Sequence, residues 1–182
     1  MNANQKSYMR LQALIGQDTV IRVERKRIDK FGIDGFVVGL SDSLLLLHEI
    51  NGNTLQLDRY TAVRLKDITE WRVCTSFIPR ALRLLGRVPI MPLDIPLDNW
   101  ADLAKWVLSN YELIHIEREK ESPDRLYIGK LGAIKKQALM LREIGTDAVW
   151  DEEPCKHRWR SITKVTFADG YTEALAALDK HS

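Results

Sequence analysis

The sequence has little of what cross-linked, secreted or membrane-spanning proteins require. Its 182 residues include only two cysteines, Cys74 and Cys155, which cannot build a disulfide framework and fit a reducing compartment. No apolar run approaches the ~20 residues that a membrane span needs, and the first residues contain no apolar signal core. Hydrophobic residues (45%) and charged residues (29%) are balanced as in an ordinary globular protein. We therefore expect a cytoplasmic protein without a membrane partner.

The chain also lacks the short motifs that mark common catalytic sites. It has no P-loop, dinucleotide-binding fingerprint, nucleophile elbow or zinc-binding helix motif. Cys155 and His157 offer two metal ligands or a nucleophile and a base, but no second ligand pair or orienting group stands at a suitable spacing. We predict that the protein is not an enzyme, binds no cofactor or metal, and has no evident small-molecule substrate.

Charge is distributed unevenly along the chain. Residues 1–93 contain 14 Lys and Arg against 9 Asp and Glu, whereas residues 94–182 contain 13 against 16. The first half is therefore basic and the second half acidic. The halves could attract each other, within one chain or between chains, or the basic half could face nucleic acid.

The most informative feature is an internal repeat. Residues 35–69 and 129–163 align without a gap at an offset of 94 and share eight identities in 35 positions. The identical pairs are Gly35/Gly129, Leu45/Leu139, Leu47/Leu141, Glu49/Glu143, Ile50/Ile144, Arg64/Arg158, Ile68/Ile162 and Thr69/Thr163. Flanking segments match at an offset of 93. Repeats of this length indicate a duplicated structural unit.

Each copy is predicted to contain a helix, about five short strands and a second helix. In the first copy the helices fall at 7–15 and 80–85, and the strands at 19–27, 35–40, 44–50, 61–65 and 68–73. In the second copy the helices fall at 100–108, with Asp98 as the N-cap, and at 173–178. Residues 88–97 hold three of the six prolines and form an extended connector. The predicted units are therefore 1–87 and 98–182.

Two motifs resemble those of the Sm and Sm-like family. The glycine-rich segment 35–42, which ends in Asp42 and precedes an apolar strand, resembles the first motif. The segment 63–68, with Arg64 before a short turn, resembles the second motif. In the second copy Arg158 matches Arg64, and Lys136 replaces the aspartate. The resemblance implies a mainly β fold of two tandem Sm-like (SH3-like) small antiparallel β-barrels, each preceded and followed by a short helix.

The resemblance also implies the partners. Sm-like proteins bind RNA and form rings by pairing exposed strand edges, so the expected partners are RNA, another protein, or further copies through barrel strand edges. Lys156 and His157 resemble the Lys-His pair of bacterial Hfq, and Trp159 between two arginines could stack a base. The candidate nucleic-acid-binding residues are Asp42, Arg64, Lys136, Lys156, His157, Arg158, Trp159 and Arg160.

An alternative function follows from departures from the family motifs. The position of the uridine-binding asparagine falls on Leu44 or Leu45, and the glycine after the second-motif arginine is replaced by Leu65 and by Trp159. On this alternative the chain is a protein-interaction or assembly module that has lost the RNA-binding pocket.

Overall fold

The chain folds into one antiparallel sheet with four helices in a computed structural model, which describes residues 3–180. The first half contains α1 (Ala3–Gln12), β1 (Val20–Glu24), β2 (Ile33–Leu40), β3 (Leu44–Asn51), β4 (Gln56–Arg64), β5 (Glu70–Val73) and α2 (Ile78–Leu84). The second half contains α3 (Trp100–Asn110), β6 (Ile114–Glu117), β7 (Leu126–Lys135), β8 (Ala138–Glu143), β9 (Cys155–Arg158), β10 (Lys164–Phe167) and α4 (Gly170–Asp179). The 3-10 turns Leu65–Asp67 and Trp159–Ser161 follow β4 and β9.

All ten described strands belong to a single sheet with the order β5-β1-β2-β3-β4-β10-β6-β7-β8-β9. Each half therefore places its fifth strand beside its first, and its fourth strand at the other end. The halves meet where β4 pairs with β10, with Val63 opposite Lys164 and Tyr60 opposite Phe167. We call this β4–β10 pairing the junction.

The prediction of two separate closed barrels is wrong, although the chain is mainly β with helices, as expected. The junction overturns it, because β4 and β10 hydrogen-bond to each other and make one open sheet from both halves. The largest hydrophobic core also crosses the junction. It joins Phe36 and Leu46 of the first half to Trp100, Leu141 and Phe167 of the second.

The two halves bend at matching places. In β2 the register against β3 shifts by one residue between Val37 and Gly39. In β7 the register against β8 shifts between Leu131 and Ala133, which lie 94 residues later. A β-bulge bends and twists its strand, so the same curvature arises in both halves.

Most predicted elements are present with shifted ends. The strand predicted at 61–65 begins earlier, at Gln56, because the hairpin turn after Asn51 is short. Asn99, not Asp98, caps α3: its Oδ1 accepts hydrogen bonds from the backbone N–H groups of Ala101 (2.9 Å) and Asp102 (3.0 Å). Among the residues that the structure describes, no helix combines the length and the hydrophobicity required to cross a membrane.

The connector of residues 88–97 lies against the first half. The Tyr60 hydroxyl donates to the Ile90 carbonyl (3.0 Å), and the Ile90 N–H donates to Nδ1 of His48 (3.2 Å). Leu97 is buried at the end of the connector. These contacts carry the chain over β3 and β4 to the start of α3, beside the junction.

Candidate nucleic-acid interface

The junction creates a cleft between the two halves of the molecule. One wall comes from the first half, from the turn between β2 and β3 and from the end of β4, and the other comes from the second half and the start of α3. The cleft has a volume of about 510 Å³. It is lined by Asp42, Ser43, Leu44, Arg64, Lys66, Asp98, Asn99, Trp100, Ala101, Lys136, Trp159 and Arg160. We call it the junction cleft.

A buried ion pair also holds the two halves together. Arg25, at the end of β1, donates to both carboxylate oxygens of Glu119, each at 2.7 Å. Four strands lie between β1 and β6 in the sheet, so this contact requires the sheet to be strongly curved. Burial raises the pKa of Glu119, but the hydrogen bonds and charge of Arg25 outweigh it and hold the pKa below its ordinary value.

Arg64 fixes the geometry of the cleft. Its Nε donates to Oδ2 of Asp67 (2.9 Å), and its Nη1 donates to the backbone carbonyl of Arg160 (3.1 Å) across the junction. Lys120 of the second half donates to the other carboxylate oxygen of Asp67 (2.7 Å). Arg64 therefore positions the two 3-10 turns against each other, and it shares the carboxylate of Asp67 with Lys120.

Three cations in the cleft are exposed and make no direct ion pair with a described residue. The side chains of Lys66, Lys136 and Arg160 make no hydrogen bond or ion pair within residues 3–180. The charge of Arg160 does act on the nearby Glu121 carboxylate, whose pKa is lowered first by a hydrogen bond from Ser161 and then also by this charge. The exposed carboxylates of Asp42 and Asp98 also line the cleft and reduce its positive charge. Three exposed cations against the two carboxylates that line the cleft favour an extended anion that can contact the cations individually.

Two tryptophans give the cleft an aromatic component. Trp159 is half-buried, and its Nε1 donates to the carbonyl of Lys135 (3.0 Å), which fixes the ring beside Arg160. Trp100 is buried and its Nε1 donates to the carbonyl of Ile162 (3.1 Å). Trp159 can therefore present ring surface to a ligand, whereas Trp100 is part of the core.

The candidate residues divide into two groups. Asp42, Arg64, Lys136, Trp159 and Arg160 line the junction cleft. Lys156, His157 and Arg158 lie on β9 instead, the outermost strand of the second half, and the structure does not bring them into the cleft.

His157 differs from its neighbours on β9 because its side chain is buried. Its Nε2 lies 3.0 Å from Oε1 of Glu143, and its ring packs edge-on against Tyr127. Lys156 and Arg158 are exposed. Successive residues of a strand face opposite sides, so the pattern of β9 separates His157 from the two cations.

Within the part of the chain that the structure describes, one group outside the cleft has metal-ligand chemistry. Ligand atoms of Glu143, Asp151 and Cys155 lie within 4.8 Å of one another. The Cys155 pKa is raised, first by burial and then by the carboxylates of Glu143 and Asp151. The Cys155 thiol is therefore protonated at neutral pH in the chain as described.

Sequence reasoning missed Lys66 and the start of α3. Lys66 corresponds to Arg160 at the offset of 94, so the repeat itself contained a signal for it. No sequence pattern indicated that the start of α3 lines the cleft, because its position depends on how the connector crosses the first half.

Comparison of the chain with protein-family models, with curated proteins and with solved structures finds no match.

Proposed function

We propose that the protein binds single-stranded RNA in the junction cleft and acts by binding, not by catalysis. The observation that carries the proposal is the grouping of Lys66, Lys136 and Arg160, all without ion-pair partners in the described chain, around the ring of Trp159. Proteins that bind single-stranded nucleic acid combine cations that contact the backbone with aromatic rings that stack bases.

We also propose that the chain is related to the Sm-like family, whose members bind RNA. Asp42 of the first motif and Arg64 of the second lie on turns that line the same cleft. The matching positions of the second half, Lys136 and Arg158, are both basic. We also place the protein in the cytoplasm, which is consistent with two unpaired cysteines.

Fluorescence anisotropy with short U-rich and A-rich RNAs at low salt tests the proposal. Because each phosphate contact releases counterions, three cations predict a slope of log affinity against log salt of roughly −2. Lys136→Glu and Arg160→Glu should each weaken binding about tenfold and flatten the slope.

Arg80→Glu is the matched control, because Arg80 is exposed on α2, outside the cleft, and the charge change is the same. It should leave RNA affinity nearly unchanged. Absence of binding at micromolar protein, or an equal loss of affinity in Arg80→Glu, would contradict the proposal.

A second candidate function is a protein-interaction or assembly module. It is favoured by the edge strands β5 and β9, each of which pairs with one other strand in the described chain. It is also favoured by exposed apolar side chains at the start of α2, on α2 and in the connector, among them Phe77, Leu84 and Leu93. A protein partner would bury either an edge strand or the exposed apolar side chains.

A further inference from the structure

The two outer edges of the sheet correspond to strands that already pair inside the chain. At the offset of 94, β5 corresponds to β10 and β9 corresponds to the end of β4. Unpaired strand edges are templates for further strand addition. We propose that β9 of one copy adds to β5 of a second copy in the register of the junction, so that copies associate head to tail. This inference rests on the second candidate function and names its partner.

A groove beside β5 supports this choice of partner. It has a volume of about 1020 Å³ and lies between α1, the turn Leu65–Asp67 and β5. We call it the α1 groove. Seven residues of the second half line the junction cleft, and six of them have counterparts in this groove at offsets of 93 or 94. The pairs are Asp98/Gln5, Trp100/Ser7, Ala101/Tyr8, Lys136/Asp42, Trp159/Leu65 and Arg160/Lys66.

The α1 groove is therefore the first-half counterpart of one wall of the junction cleft. In the cleft, the opposite wall includes Ser43, Leu44 and Arg64. Their counterparts are Gln137, Ala138 and Arg158. A second copy that presents these residues would complete a second cleft, so each added copy creates one more basic site between chains.

Arg158 has the position and the freedom that this arrangement requires. Its counterpart Arg64 donates to the backbone carbonyl of Arg160 across the junction (3.1 Å). The equivalent acceptor for Arg158 is the carbonyl of Lys66 in a second copy. The Arg158 side chain is exposed and makes no hydrogen bond or ion pair within the described residues.

One feature of the junction is not reproduced between copies. Lys26 and Glu119 occupy matching positions, since the N–H of Lys26 donates to Thr69 and the N–H of Glu119 donates to Thr163. At the same offset Arg25 corresponds to Arg118, so the Arg25–Glu119 pair becomes Arg118 facing Lys26. Lys26 already pairs with Glu24 (2.9 Å) and Glu70 (2.8 Å). Arg118 therefore meets a like charge there and not a carboxylate of its own, and the contact lacks the ion pair of the junction. Association is therefore weaker than the junction and depends on concentration.

Sedimentation velocity across the micromolar range tests the association. Because the contact is heterologous, it should produce rings or chains larger than a dimer as concentration rises. Arg158→Glu should shift the protein to monomer, while the matched Arg80→Glu should not. Lys26→Glu should strengthen association, because it restores opposite charges opposite Arg118. A monomer at every concentration for the wild type and for Lys26→Glu would overturn the inference.

A cysteine cross-link tests the register. Oγ1 atoms of Thr61 and Thr166 lie 3.5 Å apart in the junction, and their counterparts are Cys155 and Arg72. Arg72→Cys should form an intermolecular disulfide with Cys155 under mild oxidation, located by peptide mass spectrometry and lost when Cys155→Ser is added. Cross-links that join other positions would contradict the register. Anisotropy on the same samples separates the proposals: a monomer that binds RNA overturns this inference and leaves RNA binding supported.

Discussion

At the scale of single residues, two buried histidines are neutral in the folded protein because their surroundings exclude water. Burial lowers the pKa of His48 and of His115 from 6.5 to about 4 in each case. His48 also accepts a hydrogen bond from the Ile90 N–H at Nδ1, which a protonated ring could not do. The connector is therefore held by a histidine that must stay unprotonated.

The pKa of His48 predicts how stability depends on pH. Below pH 6.5 the unfolded chain binds a proton at this residue that the folded chain binds only near pH 4, so the free energy of unfolding should fall over this range. The loss should reach roughly 1–2 kcal/mol for one such histidine, because partial screening by solvent reduces the effect of the full shift. His48→Gln keeps an acceptor and removes the titration, so urea denaturation at pH 7 and 4.5 should show a smaller loss than in the wild type. Equal losses would contradict the assignment.

The buried ion pair of Arg25 and Glu119 predicts a large coupling energy. Arg25→Met leaves Glu119 buried without its main partner and should lower the free energy of unfolding by about 3–5 kcal/mol. Adding Glu119→Met should restore much of that loss, because the second charge then no longer needs solvation. Arg27→Met, on the exposed neighbouring segment, is the control and should have little effect. Additive losses in the double variant would contradict the coupling.

At the scale of elements, the close approach of β7 and β8 depends on a glycine. A Cβ atom at Gly129 would lie 2.0 Å from the carbonyl oxygen of Arg142, and one at Gly35 would lie 2.7 Å from that of His48. Both contacts are with backbone atoms, which cannot move without distorting the sheet. The glycine pair in the repeat thus reflects a steric requirement just before the bulge of each half.

Gly129→Ala should therefore destabilise the protein strongly, by more than about 2 kcal/mol, because the added methyl overlaps the backbone of β8. Gly35→Ala should cost less, in keeping with its longer contact distance. Gly52→Ala is the control, since no atom lies within 4 Å of its Cβ position. Thermal unfolding would measure all three, and equal effects of Gly129→Ala and Gly52→Ala would contradict the steric argument.

The sequence predicts where the helices and strands lie better than it predicts which strands pair with each other. Alternation along β1 and the apolar run of β3 are local patterns, so those strands were predicted close to their observed positions. The junction depends on which strand edge β4 meets, and no local pattern contains that information. The buried position of His157 has the same origin, because Glu143 becomes its neighbour only through the pairing of β8 with β9.

At the scale of the whole molecule, the junction connects the fold with the proposed function. Pairing β4 with β10 brings together the turns that follow β2 and β4 in the first half and β7 and β9 in the second. The exposed cations of the junction cleft come from both sides of that pairing. Arg64 of the first half donates to the backbone carbonyl of Arg160 in the second half, while the Arg160 side chain is exposed. Neither half alone contains the whole cleft.

The most direct test of RNA binding in the junction cleft is to locate bound RNA by cross-linking. A short RNA with 4-thiouridine would be irradiated with the 182-residue chain, and the attached peptides would be identified by mass spectrometry. We predict cross-links at Trp159 and in the turns that carry Lys66 and Lys136, strongly reduced in Arg160→Glu and retained in Arg80→Glu. Cross-links confined to α2, α4 or other surfaces away from these turns would contradict the account.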